Sequence, residues 1–220
     1  MRSLGFAGIL TVVLCFSATS QAAFMTDWSS TPTLSDGVDG SLTAGRDITP
    51  GVWVEADADY WYFRMDLRGA PTSLGNDYAG LYGFYIDAVA GGAGGGDIDY
   101  IPTSLSGIDY IVDTHFNNSG TGDWEATHFH YDWSGTGFSI DYTAVTFQAT
   151  ENGGKTLEWK IAREELGDEF YFWAATHDVG SSAPTYDLLP LSGPGQYVPE
   201  PATMGLLLIG SLIGLRRRRR

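Results

Sequence analysis

The chain has 220 residues, with 27 Asp and Glu against 12 Lys and Arg and a formal charge of −15. That acidity excludes nucleic-acid binding through a basic face, a single cysteine excludes a disulfide scaffold, and 43% hydrophobic with 14% aromatic residues excludes a disordered chain. Glycine, at 29 residues, is about twice its ordinary usage, which favours short strands and tight turns over long helices.

Residues 1–22 read as a secretory signal peptide. Arg2 supplies the basic start, Leu4 to Phe16 the apolar stretch, and Ser20-Gln21-Ala22 the small residues of a cleavage site. Cleavage after Ala22 removes Cys15. Residues 23–178 are predicted to form one all-β domain, an antiparallel β-sandwich of jelly-roll type. Its first turn, Ser35-Asp36-Gly37-Val38-Asp39-Gly40, carries two aspartates among glycines. Strands are then predicted over Val52 to Ala56, Tyr60 to Leu67, Leu81 to Val89 and Ile108 to Phe116, with a short one near Ile98 to Ile101. Alternation is clearest in the second: Trp61, Phe63, Met65 and Leu67 share one face, Arg64 and Asp66 the other.

Glu55, Asp57 and Asp59 alternate at the end of the first strand, a pattern that suits the paired carboxylates of a glycoside hydrolase. Farther on, Gly91-Gly92-Ala93-Gly94-Gly95-Gly96 precedes Asp97 and Asp99. Calcium takes six to eight oxygens from carboxylates and carbonyls, and flexible acidic loops supply them. Asp36, Asp39, Asp97 and Asp99 are therefore the candidate ligands of a structural Ca2+. Glu125 to Trp133 is predicted as a strand with His128, His130 and Asp132 on one face, but no Glu follows at the distance a histidine metal motif needs. Trp124 and Trp133 flank that strand and are the candidates for stacking on a sugar ring, whereas Trp61, Trp159 and Trp173 are expected between the sheets. Strands follow over Phe138 to Tyr142, Ala144 to Ala149, Lys155 to Ile161 and Phe170 to His177. A single helical turn, Ala162 to Leu166, stops at Gly167. Residues 179–197, rich in Ser, Pro and Gly, read as a linker.

The last segment has three parts. Val198-Pro199-Glu200-Pro201 is followed by an apolar run from Ala202 to Leu215 and then by Arg216, Arg217, Arg218, Arg219 and Arg220. Fourteen apolar residues make a helix of about 21 Å, a short span of a bilayer core of about 30 Å. Arginines stay cytoplasmic, so a single transmembrane helix here leaves the domain outside. Between Ala23 and Val198 six bases face 26 acids, so the exported part alone carries a charge near −20.

Residues 198–220 resemble the PEP-CTERM sorting signal of Gram-negative bacteria, with all three parts in order. The resemblance implies recognition by an exosortase-type membrane transpeptidase, which removes the tail near the Pro-Glu-Pro motif. It also implies export across the inner membrane, transient anchoring, and delivery to the outer surface or an extracellular matrix. Within the domain, four stretches run in a similar order to family-nine carbohydrate-binding modules and DOMON-like β-sandwiches. They are Ser35 to Gly40, Glu55 to Met65, Leu157 to Gly167 and Phe170 to Asp178, with Ala162 where those modules have proline. This likeness implies the sandwich fold more than a ligand; the expected role is a non-catalytic one, binding extracellular polysaccharide or serving as a structural unit. The alternative expectation is a secreted glycan-active hydrolase working through Glu55 or Asp57.

Overall fold

Alternating strands with one apolar face need a second apolar face to close on, and the chain supplies it with a second sheet. The computed structural model describes residues 24–25, 27–71, 80–88, 101–102, 104–116, 128–133, 138–141, 145–150, 154–178, 185–191 and 195–198. In chain order the elements are β1 (Leu34–Ser35), β2 (Ile48–Ala56), β3 (Tyr60–Leu67), β4 (Gly80–Asp87), β5 (Tyr110–Phe116), β6 (His128–Trp133) and β7 (Phe138–Asp141). After them come β8 (Val145–Thr150), β9 (Thr156–Ala162), α1 (Arg163–Leu166), β10 (Phe170–Asp178), β11 (Thr185–Leu189) and β12 (Gln196–Val198). One sheet has the order β1-β2-β3-β9-β8; the other runs β11-β10-β4-β5-β6-β7, with β12 also on β10. Every pairing is antiparallel.

The expected face of β3 lies in the core: Trp61, Phe63, Met65 and Leu67 are all buried, while Arg64 pairs with Asp66 at 2.8 Å on the other side. Phe63 meets Phe84 of the second sheet at 4.9 Å between ring centroids, Phe84 meets Trp159 at 5.5 Å, and Trp61 meets Phe170 edge-on at 4.8 Å. These contacts across the two sheets are the interdigitation that defines a packed core. The helical turn ends as expected at Gly167, whose φ of 80° carries the chain out of the helix while its amide donates to the Arg163 carbonyl (2.9 Å). Strand β2 starts four residues earlier than predicted. A register shift between Ile48 and Val52 admits Pro50, and Gly51, at φ 146°, lies where a Cβ would overlap the Leu34 carbonyl.

Three stretches depart from the sequence reading. Trp173 does not lie between the sheets. It joins Tyr85, Ile101, Leu105, Ile108, Ile111 and Ala175 in a second apolar cluster on the outer face of β10, β4 and β5. Alternation fixes that Trp173 opposes Phe172, but not that the segment after residue 100 folds back to cover it. Ile101 is not in a strand. And the stretch read as a linker holds β11 and β12, which line the free edge of β10 with pairs such as Leu189 on Ala174 and Val198 on Phe170. Composition hid them because each strand is short and its partner is distant. The signal helix and the transmembrane helix predicted at the two ends lie outside the described residues; among the described residues no helix is long and apolar enough to cross a membrane.

The outer face of the first sheet is covered by the segment before β1. Glu158, 1% exposed, accepts the Phe24 amide (3.1 Å), the Trp28 indole N–H (2.9 Å) and the Gln148 side-chain amide (2.7 Å). The Arg64 guanidinium lies over the Trp53 ring at 4.6 Å and the Trp28 ring at 6.0 Å. A Glu158→Gln substitution replaces one acceptor oxygen by a donor and leaves buried N–H groups facing it. We expect a loss of about 1–2 kcal/mol in thermal unfolding, with faster protease cleavage near Trp28 than in the parent. An unchanged melting curve and cleavage rate would show that this segment is not fastened by Glu158.

Candidate functional site

The segment Gly45 to Ile48, which leads into β2 of the first sheet, is tied to the second sheet at each step. The Tyr82 hydroxyl donates to the Gly45 carbonyl (2.9 Å), the Thr176 hydroxyl to the Arg46 carbonyl (2.7 Å), and the Ile48 amide to Asp187 Oδ2 (2.7 Å). Arg46 is 1% exposed; it donates to the His177 carbonyl (3.3 Å) and sits over the Tyr82 ring. These ties place Asp47 beside Asp187 of β11, and the pairing of β1 with β2 brings Asp36 to the same point, its amide donating to the Pro50 carbonyl (2.9 Å).

Asp36, Asp47 and Asp187 each offer a carboxylate oxygen within 4.8 Å of the others. Asp47 is fully buried and Asp187 nearly so. Arg68 Nε lies 2.5 Å from Asp47 Oδ2, and the Thr49 hydroxyl 2.8 Å from Asp47 Oδ1, so one of the three charges is compensated. Burial pushes Asp187 up to about 6; the Ile48 amide opposes this, and the charges of Asp36 and Asp47 add to it. Asp36 is also raised, first by burial and then by Asp47, with the Gly37 amide opposing. Three carboxylates this close share either a proton or a cation. Carboxylate oxygens this close can reach one divalent cation together, and Asp36, Asp47 and Asp187 are the residues that would hold it.

The four residues expected as calcium ligands fall in different places. Asp36 belongs to the cluster. Asp39 does not: its carboxylate closes its own turn by accepting the Ser41 amide (2.8 Å) and hydroxyl (2.7 Å). Asp97 and Asp99 lie outside the described residues. Asp47 and Asp187 were missed because they lie 140 residues apart, Asp47 beside Arg46 where an ion pair is the plain reading and Asp187 between Tyr186 and Leu188 in a stretch read as a linker.

The alternating acids Glu55, Asp57 and Asp59 do not face one another across a cleft. Glu55 accepts the Ser29 amide (2.8 Å), and Asp57 closes the turn between β2 and β3 by accepting the Asp59 and Tyr60 amides (both 2.8 Å). Asp57 Oδ2 also accepts the Tyr62 hydroxyl at 2.7 Å. Desolvation, then this bond and the Asp57 charge, push the Tyr62 phenol up to about 12. Trp124 lies outside the described residues; of Trp133 only the backbone is described, paired with Phe138 at the end of β6. His128 and His130 are placed by register opposite Thr114 and Val112.

The C-terminal motif starts inside the fold. Val198 ends β12 and is 8% exposed, packed in the core with Phe170 and Phe172. Pro199, Glu200, Pro201 and the terminal arginines lie outside the described residues. Residues 198–220 match the family model described as the PEP-CTERM protein-sorting motif. No curated protein and no solved structure matches the chain significantly, so the likeness to carbohydrate-binding sandwiches rests on the quoted residues alone. The sorting motif implies processing by an exosortase, a membrane enzyme, and export with a membrane-anchored stage before that processing.

Proposed function

We propose that this exosortase substrate delivers a non-catalytic β-sandwich, of jelly-roll type, to the outer surface or extracellular matrix, where it holds polysaccharide or serves as a structural unit with a cation bound at Asp36, Asp47 and Asp187. The observation that carries the reading is the sorting motif joined directly to the domain: its first residue, Val198, is the last residue of the sheet. A domain whose acids close turns and fasten segments, as Glu55, Asp57 and Glu158 do, is suited to binding or support rather than hydrolysis. A charge near −20 keeps it soluble outside the cell and makes divalent cations its natural link to acidic polymers.

The test is sorting itself. The full chain, expressed in a host with its exosortase, is expected to leave the membrane fraction as a shortened form lacking the arginine tail. In a host without the enzyme, or with Pro199, Glu200 and Pro201 all replaced by Ala, the full-length form is expected to stay in the membrane. Equal release in all three cases would reduce the C-terminus to a plain anchor and remove the sorting reading.

A further inference from the structure

Among the described residues, the outer face of the second sheet is only partly covered. Beside the apolar cluster of Trp173 and Leu105 a cleft of about 530 Å³ stays open, lined among others by Asp87, Ser104, Ser106, Tyr171, Trp173 and Leu188. The volume lies in the range of small-molecule sites. Its walls are of two kinds. Tyr171, Trp173 and Leu188 bring apolar side chains to its lining, with Trp173 almost wholly buried behind it, and Asp87, Ser104 and Ser106 bring polar ones. Tyr171, on the cleft wall, is 42% exposed and rests against Tyr197 at 5.1 Å between centroids, and the Tyr197 hydroxyl is anchored to Glu169 at 2.5 Å. The platform ring is therefore held in place before any ligand arrives, which lowers the ordering cost of binding.

We propose that this cleft is a saccharide-binding site that takes a neutral sugar unit, with the exposed Tyr171 ring packing against the C–H face of the sugar beside the buried Trp173, and Asp87 accepting hydrogen bonds from its hydroxyls. The proposal rests on the reading of the domain as a polysaccharide binder and says where that binding occurs. The chemistry selects among ligand classes. An anionic ligand meets the Asp87 carboxylate on a domain of charge near −20. A wholly apolar ligand strands the carboxylate and the serine hydroxyls without partners. An extended peptide seeks a free strand edge, and the edge of β10 at this point is already taken by β11 and β12. A neutral polyhydroxylated ring, apolar on its faces and donating at its rim, satisfies both kinds of wall.

The experiment titrates the full chain, in detergent, with cellotetraose, xylotetraose, mannotetraose and isomaltotetraose, read by calorimetry and by tryptophan fluorescence. At least one probe is expected to bind and to perturb a fluorescence signal that is absent in Trp173→Phe. Tyr171→Ala is expected to weaken that binding about tenfold or more, which is the loss of roughly 1.4 kcal/mol of ring contact. Tyr171→Phe keeps the stacking face and is expected to keep most of the affinity, and Asp87→Asn to lose several-fold. Circular dichroism melts of each variant separate a lost site from a lost fold. Binding that survives Tyr171→Ala and Asp87→Asn unchanged would overturn the cleft while leaving a polysaccharide reading to another face. No binding of any of the four probes by the parent would overturn the cleft as a neutral-sugar site and withdraw support from the polysaccharide reading itself.

Discussion

Residues 23–184 expressed alone are expected not to fold, whereas residues 23–198 give a cooperatively melting domain. The shorter chain keeps every strand up to β10 but removes both partners from one edge of that strand. Leu189 and Val198 leave the core, and the Ile48 amide loses its acceptor on Asp187. Each buried aliphatic side chain of this kind contributes about 1.5–3 kcal/mol, and a buried hydrogen bond left unmade costs about 1–3 kcal/mol more. With the exposed β10 edge added, the sum rivals the 5–15 kcal/mol that holds a domain of this size together. Thermal denaturation followed by far-ultraviolet circular dichroism decides it. Matching melts for the two chains would mean that β11 and β12 are dispensable, and that residues 179–197 are a tether after all.

That contrast also shows where the sequence was readable. Strand β3 is set by its own period: with Trp61, Phe63, Met65 and Leu67 alternating with polar residues, a one-residue slip would turn four large apolar side chains to water. Its predicted limits match the observed ones because that penalty acts locally. β4 has no alternation, since nearly all of it is buried, yet an unbroken apolar run bounded by glycine still reads as a strand. β11 and β12 have no such internal signal. Three to five residues among Ser, Pro and Gly become strands only because β10 offers a free edge, a fact recorded nowhere near them in the chain. The acid cluster fails for the same reason. Asp36 stands in a turn that the local sequence displays, while Asp47 and Asp187 meet only when β2 and β11 are brought together across the sheets. The sorting motif is the opposite case. Its order of motif, apolar run and arginines is read linearly by a membrane enzyme, so no fold is needed to see it.

Asp187→Asn tests the cluster through its protons. The folded Asp187 titrates at about 6 because burial first, and then Asp36 and Asp47, oppose its ionisation; in the unfolded chain an aspartate titrates near 3.9. A carboxyl whose value is raised by folding stabilises the fold while protonated. Its contribution is fully present below about pH 3.9 and is lost as the pH rises through about 6. At neutral pH and without divalent ions the parent therefore carries an electrostatic penalty of about 2–3 kcal/mol at this residue. The asparagine amide has no charge to desolvate, still accepts from the Ile48 amide, and can donate to Asp36. The variant is expected to melt higher than the parent at pH 7 in a chelator, and the two curves are expected to converge toward pH 4. A cation bound there would do at pH 7 what the proton does at pH 4, so adding calcium to about a hundred times its dissociation constant is expected to stabilise the parent by about 2.7 kcal/mol. The variant, with one ligand charge removed, gains far less, and at pH 5 the proton competes and the calcium effect in the parent shrinks. Equal calcium shifts in parent and variant would place the ion elsewhere. No shift in either, with the pH difference intact, would leave Asp36, Asp47 and Asp187 as a proton-sharing clasp between the two sheets, which makes the domain firmer in acid than at neutrality.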